Sequence, residues 1–244
     1  MSFFLEHRQR VIRICDFVER YLLSLFYFWL AYGSVAWVLL WLHSSPETSW
    51  EQGWWVVRVI REIDLFGISL FIGLLLLRSR PPVEGPREWK EILVPLAVST
   101  FFMVYGKVTL LPQALQASLA PLPVQVLCAY ASLAAGAAGS LLALWGVLSL
   151  GRSFGIFVGV RKVVLAGPYK YVRHPIYSGY LLIWLGQILV NLSWGIIILV
   201  AIHMALMIYR ARLEERRLAE ASPEYREYRE RTGFLFPRLD TPIG

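Results

Sequence analysis

Cysteine, lysine and acid are scarce in this chain. Cys15 and Cys128 are the only cysteines among 244 residues, one in a basic amphipathic start and the other in an apolar run. Two such positions exclude a disulfide scaffold and a cysteine-based zinc site. Acidic residues number 17 against 24 basic ones, leaving a formal charge of +7. Of the basic residues only 4 are lysine and 20 are arginine. Neither an aromatic-interleaved basic domain nor a recognised nucleic-acid motif accompanies that charge, so no nucleic-acid partner is expected. Residues 1–20 look like a signal peptide's basic region, but the apolar run that follows is too long and lacks a clear small-residue cleavage site. It reads as an uncleaved first membrane helix.

Apolar residues make up 57% of the chain, including 10 Trp, 12 Tyr and 13 Phe, and the mean hydropathy is +0.54. That is the composition of a membrane protein. Apolar runs fall at residues 21–43, 63–77, 92–111, 124–150, 176–190 and 194–209. A helix needs about 20 such residues to cross the hydrocarbon. The runs predict an all-α, polytopic membrane bundle of about six transmembrane helices. Written as one helix, residues 176–210 would reach roughly 52 Å, well beyond the bilayer core. The stretch "NLSWG" at 191–195 supplies turn and cap formers, so the last two runs are expected to form a tight helical hairpin. The glycosylation pattern beginning at Asn191 is expected to be accidental in a turn hugging the membrane.

Charge orients the bundle. With six crossings, 21 basic residues share one side, while Arg58 and Arg61 occupy the first loop opposite. Lys107, inside the third apolar run, is expected to snorkel. By the positive-inside rule both termini are cytoplasmic, and the juxtamembrane charge faces anionic headgroups of the lipid bilayer. The arginine excess and short loops point to a bacterial cytoplasmic membrane, with the endoplasmic reticulum as the alternative. No oligomeric state is signalled.

The segments "RSRPPVEGPREWK" (78–90) and "PQALQASLAPLP" (112–123) read as connections. Residues 129–146, dense in Gly, Ala and Ser, read as a helix-packing face. Chemistry is concentrated in two later segments. In "GPYKYVRHPIYSGY" (167–180), Gly167 and Pro168 force a turn and Pro175 suits the first turn of a helix, whose free amides favour an anion. Arg, His and Tyr also serve simply as headgroup anchors at such a place. In "YRARLEERRLAEASPEYREYRERTGFLFPRL" (209–239), Arg210 and Glu214 share one helix face, a spacing that most often makes a solvated ion pair. The expected hairpin makes the two segments neighbours.

Together these segments resemble the integral-membrane methyltransferases that include isoprenylcysteine carboxyl methyltransferase and, more distantly, phospholipid N-methyltransferases. The likeness rests on Gly167, Pro168 and Tyr169, then Arg173, His174, Pro175, Tyr177 and Gly179, then Glu214, Glu215 and Leu218, then Glu224, Tyr225 and Tyr228, with Pro237 near the end. It covers roughly residues 145–238, and divides the chain into N-terminal scaffold and substrate-access helices (1–144) and a methyltransferase core (145–244). The resemblance implies transfer of a methyl group from S-adenosylmethionine, leaving S-adenosylhomocysteine, to a lipophilic or small-molecule acceptor at the cytoplasmic face. It implies that a strand-like stretch Arg161, Lys162, Val163 and Val164 lines the cofactor pocket with Gly167, Tyr169, His174, Pro175, Ile176, Tyr177, Glu214 and Glu215. Arg210 and Arg173 are the implied catalytic residues, with Arg210 meeting the acceptor. Two departures from the family's pattern are Ser222-Pro223 ahead of the second tyrosine motif and Phe154, where a polar residue is frequent.

The cofactor's charges suit these residue types. A carboxylate such as Glu214 accepts from its amino group or ribose, amides at His174 suit its carboxylate, and an aromatic face such as Tyr169 or Tyr177 attracts a sulfonium. An isoprenylcysteine-like carboxylate or a thiolate acceptor needs no base, and Arg210 suits a carboxylate through two hydrogen bonds. An amine needs a base, for which His174 or Glu215 is nearest; the lack of a better one favours an anionic acceptor. Two other readings remain: a sterol-reductase-like membrane enzyme using NADPH, and a non-catalytic membrane adaptor. Transport is disfavoured, since Asp64 and Lys107 are the charges at the first four runs and neither has an evident partner.

Overall fold

The computed structural model describes residues 2–43, 49–101, 112–116, 119, 122–190 and 192–238. Lys107, Asn191 and residues 117, 118, 120 and 121 of the 112–123 connection, singled out above, lie outside the described residues.

The regular structure among the described residues is helical. Helix α1 (Ser2–Phe17) passes through a π-helical turn (Val18–Leu23) into α2 (Ser24–His43), and α3 (Ser49–Arg78) packs back along α2. Helix α4 (Lys90–Thr100) follows the first connector, and the short α5 (Gln113–Gln116) precedes α6 (Leu122–Leu150). An irregular loop leads to α7 (Pro175–Val190), α8 (Trp194–Ala221) and α9 (Pro223–Arg231). Ser193 caps α8 by accepting from the Ile196 amide, which supplies the cap that the 191–195 stretch promised. Ser222 ends α8 and caps α9, with Pro223 at its first position. The departure from the family pattern at Ser222-Pro223 is therefore a helix stop and a helix start in two residues.

Among the described residues three helical stretches are long and apolar enough to cross a membrane: Arg8–His43, Leu127–Ser153 and Trp194–Ala221; Pro175–Val190 is apolar but shorter. Large apolar side chains such as Leu25, Trp29, Leu40, Leu127 and Leu141 stand exposed on these helices, the expected surface for contact with lipid rather than water. The protein is an integral membrane protein by these features; of the six apolar runs, that at 92–111 is described only as far as Phe101. Helix α3 begins at Ser49 and carries Arg58, Arg61, Glu62 and Asp64 before or at its middle. Arg58 and Arg61 thus lie on a helix, where a loop was expected.

Small residues decide how α6 meets α7. A Cβ added at Gly139 would fall 2.5 Å from the Gly179 carbonyl oxygen, and one at Gly179 would fall 2.5 Å from that of Gly139. Only two glycines allow the backbones this close. The "AAGAAGS" face is therefore a packing surface, as its composition suggested. Gly146 similarly accepts Pro175 and Ile176 at the start of α7.

The loop between α6 and α7 is held from several sides. Gly151 and Gly167, both with positive φ (51° and 63°), bend its two ends. Its middle exchanges backbone hydrogen bonds with the first connector, from Val83 N to Val160 O (2.8 Å) and from Val160 N to Glu84 O (2.9 Å). Arg161 to Val164 is irregular rather than strand-like, because only the bridge at Val160 pairs here. Glu19, 2% exposed, reaches this loop from the π-helical turn, accepting from Arg161 Nη2 at 2.6 Å and from the Phe157 amide. The extra residue of a π-turn re-aims side chains, and here an acid on an otherwise apolar helix becomes a latch. The connector is more than a link: Glu84 joins Arg8, Arg87 and Arg217, and these guanidiniums, Arg87 first, hold its carboxyl below the usual range.

Two outcomes follow for the purified protein in detergent. Gly139→Ala overpacks the α6–α7 contact at a cost of about 1–3 kcal/mol, lowering the thermal midpoint, whereas Gly136→Ala, with open space around it, leaves it unchanged. Glu19→Gln removes one partner of a buried pair, a loss of about 3–5 kcal/mol, and limited trypsin digestion should then cut earlier at Arg161 and Lys162 than in the parent.

Candidate functional site

Helix α8 places Leu218, Glu214, Arg210, Met207 and His203 along one face by their three- and four-residue spacing. All of these but Met207 line a cavity of about 490 Å³, a size within the range of about 300–1,000 Å³ that suits small-molecule sites. Other walls come from α3, α4, the 151–166 loop, α7 and α9.

Arg210 is buried and engaged on several sides. Its Nε donates to Glu214 Oε1 at 3.0 Å, one Nη to the Ile156 carbonyl at 2.8 Å and the other to Ser99 Oγ at 3.5 Å. The Tyr177 ring lies 5.6 Å from the guanidinium carbon. Tyr177 in turn donates its hydroxyl to the same Glu214 oxygen at 2.8 Å. The i, i+4 pair expected on a solvated surface is instead an interior junction, because α4, α7 and the loop close over it. Three of its five N–H donors are thus assigned within the protein, and its charge is already met by Glu214.

Arg173 and His174 share Glu215. Arg173 Nε donates to Glu215 Oε1 at 2.5 Å, and His174 Nε2 is 3.2 Å from the same oxygen. Arg173 also donates to the carbonyls of Arg229 (3.0 Å) and Thr232. The backbone after α9 then returns across the start of α7: the Arg173 amide donates to Gly233 O (2.8 Å) and the His174 amide to Phe234 O (3.2 Å). The His174 amide assigned to a cofactor carboxylate is thus already taken by the chain's own tail. Tyr228 adds a hydroxyl bond to the Tyr169 carbonyl at 2.6 Å, so the second tyrosine motif is a clasp on the first.

Of the residues expected at the cofactor, Arg161, Lys162, Val163 and Val164 line the cavity, as do Tyr169, His174, Ile176 and Tyr177. Glu214 and both arginines expected in catalysis, Arg173 and Arg210, line it as well. Gly167, Pro175 and Glu215 do not. Gly167 makes the positive-φ turn against Ser149, Pro175 packs against α6, and Glu215, one residue around the helix from Glu214, is occupied by Arg173 and His174. Burial, followed by the negative charge of Glu214, pushes the Tyr169 phenol well above its ordinary range, so it stays neutral.

The N-terminal helices supply wall residues that the sequence gave no reason to group: Tyr27 from α2, Arg61, Glu62 and Asp64 from α3, and Ser99 from α4. Asp64 has a partner, Ser140 Oγ at 2.9 Å. An ionisable residue inside an apolar run was the available signal for Asp64 and for His203. Phe154, the second departure, lines the cavity and packs against the buried cluster around Ile72 and Ile156. Among the described residues no group of three or more His, Cys, Asp or Glu side chains is placed to hold a metal ion.

A curated relative, the cobalt-zinc-cadmium resistance protein CzcN of Cupriavidus metallidurans, is 40% identical over 94 residues, 36% of this chain and 43% of the relative. The chain therefore matches less than half the length of that relative, whose name describes metal resistance. A family model described as phospholipid methyltransferase matches residues 126–223. That segment contains most of α6, the loop, α7 and α8, with Tyr169, His174, Tyr177, Arg210 and Glu214 of the cavity wall. Residues 126–223, less than half of the chain, match the phospholipid methyltransferase family, the membrane methyltransferases that the paired motifs resemble.

Proposed function

We propose that the protein transfers a methyl group from S-adenosylmethionine to a lipophilic or small acceptor that enters the cavity from the bilayer. The observation that carries this reading is that one cavity, within the segment that matches a methyltransferase family, unites Glu214, Tyr169, Tyr177 and the 161–164 loop. The donor set fits the cofactor. Glu214 keeps part of its carboxylate accessible and suits an ammonium or ribose hydroxyl. Arg161 and Lys162 suit the cofactor's carboxylate, and the neutral phenols of Tyr169 and Tyr177 provide aromatic faces of the kind that attract a sulfonium by about 0.5–2 kcal/mol. When bound, the cofactor supplies an electrophilic methyl carbon.

The chain's own contribution is positioning and exclusion of water, the main devices for an in-line transfer. Arg210 holds Glu214 and the loop carbonyl at Ile156 in register; Arg173 and Glu215 hold the tail across the start of α7. Both arginines act in this reading as positioning residues. The basic end of the bundle, which carries residues 78–91, 151–175 and the tail, faces the cytoplasm of a bacterium by the positive-inside rule. Residues 1–144 then serve as scaffold and acceptor access, and residues 145–244 as the methyltransferase core.

Calorimetric titration with S-adenosylhomocysteine tests the reading. The parent should bind it, and Glu214→Gln, which keeps a hydrogen-bond acceptor for Tyr177 but loses the charge, should bind at least about tenfold more weakly, a loss of about 1.4 kcal/mol. No binding by the folded parent, with binding of NADPH instead, would replace this function by the reductase.

A further inference from the structure

His203 lies on the same face of α8 as Arg210, two turns away, or about 10 Å along the axis. It is 5% exposed and lines the cavity. Its ring stacks on Phe101 at 4.6 Å between centroids and meets the edge of Trp184 at 4.7 Å. Neither ring nitrogen has a partner within strict hydrogen-bond geometry among the described residues, although the Val98 backbone is close enough to interact with the ring. A buried imidazole held by two aromatic rings, with its nitrogens lacking well-formed partners, loses hydrogen bonds that a wholly packing role would not require.

The remaining ionisable groups define what the deeper part of the cavity accepts. Arg210 has its charge met by Glu214 and donates further to Ile156 and Ser99. His174 is paired with Glu215. Glu62 and Asp64 line the cavity from α3, and Asp64 lies about 12 Å along that helix from Ile72, which joins the loop cluster of Ile156. Arg61 lines the cavity beside these two acids, so α3 presents one guanidinium against two carboxyl groups, an excess of acid that opposes the charge of a carboxylate acceptor.

We propose that His203 meets the methyl acceptor and takes its proton, and that the acceptor is a proton-bearing nucleophile, a thiol or an amine, rather than a carboxylate. This rests on the methyltransferase reading above. The acceptor heteroatom forms its bond to the methyl carbon with its own electron pair, and the pair of the broken carbon–sulfur bond stays on the donor sulfur. The heteroatom–hydrogen bond breaks, and its proton ends on a ring nitrogen of His203, which carries away the positive charge that the sulfonium brought. An amine entering as its cation first gives up one further proton to water.

The test uses the full chain in detergent with its histidine ring nitrogens isotopically labelled, the His203 signals being those lost in His203→Gln. Decanethiol, decylamine and decanoic acid, which share one alkyl chain length class, are added to protein carrying S-adenosylhomocysteine. The His203 signals should move with the thiol or the amine and not with the acid, and the responding probe identifies the nucleophile. With S-adenosylmethionine, that probe should be methylated, and His203→Gln should slow the reaction at least about 100-fold while S-adenosylhomocysteine affinity is unchanged. His203→Phe restores the ring packing without the nitrogens and should be equally slow. Unmoved signals, methylation of decanoic acid or of none of the three, loss of S-adenosylhomocysteine binding in both variants, or full activity in either variant would each overturn the proposal. A parent that does not bind S-adenosylhomocysteine defeats the methyltransferase reading and this inference with it; a parent that binds it while His203 stays silent defeats this inference alone.

Discussion

A guanidinium buried among apolar helices must be neutralised and must find acceptors for its donors, and Arg210 imposes that requirement on everything around it. Its charge is met by Glu214 on the same helix, and further donors by Ser99 on α4 and the Ile156 carbonyl of the loop. Tyr177 brings α7 to the same carboxylate. Three helices and one irregular loop are therefore fixed around one side chain. The cavity wall forms where they meet, and its order follows from the cost of leaving that cation unsatisfied.

Around this junction lie two smaller clamps of the same kind. Glu19, turned inward by the π-helical segment, holds Arg161 and the Phe157 amide. Glu215 holds Arg173, whose guanidinium also binds carbonyls of the tail. Each clamp joins an element near one end of the chain to the 151–180 segment, and each buries an acid against an arginine. The arginine excess over lysine has a use here, since a planar fork donates to a carboxylate and to a carbonyl at once, whereas an ammonium is a point charge.

The cavity's two parts differ chemically. Toward the loop it offers a carboxylate, cations and neutral phenols, with the tail folded across the start of α7. Deeper along α8 it offers an imidazole between aromatic rings and acids from α3. A polar cofactor and a lipophilic acceptor with a reactive head have complementary requirements, and the helical spacing that separates His203 from Glu214 keeps these environments apart while leaving them connected.

The sequence alone determined the helical membrane class, the packing face on α6 and the two segments that carry the family likeness, because each is local: apolar run length, small-residue density and motif spacing are properties of neighbouring residues. Ser222-Pro223 and Gly167 likewise had local causes and local consequences. Tertiary structure decided which members of those segments line the cavity. It turned Glu215 toward Arg173 and His174, gave the His174 amide to Phe234, committed Arg210 to three partners, and brought Glu19 across 142 positions of chain to Arg161. It also gathered Asp64, Ser99 and His203, which no motif connects, into one cavity. Pairing of buried charges depends on distances between helices that no residue encodes by itself, so the sequence named the chemistry available and only the packing chose which groups remain free to use it.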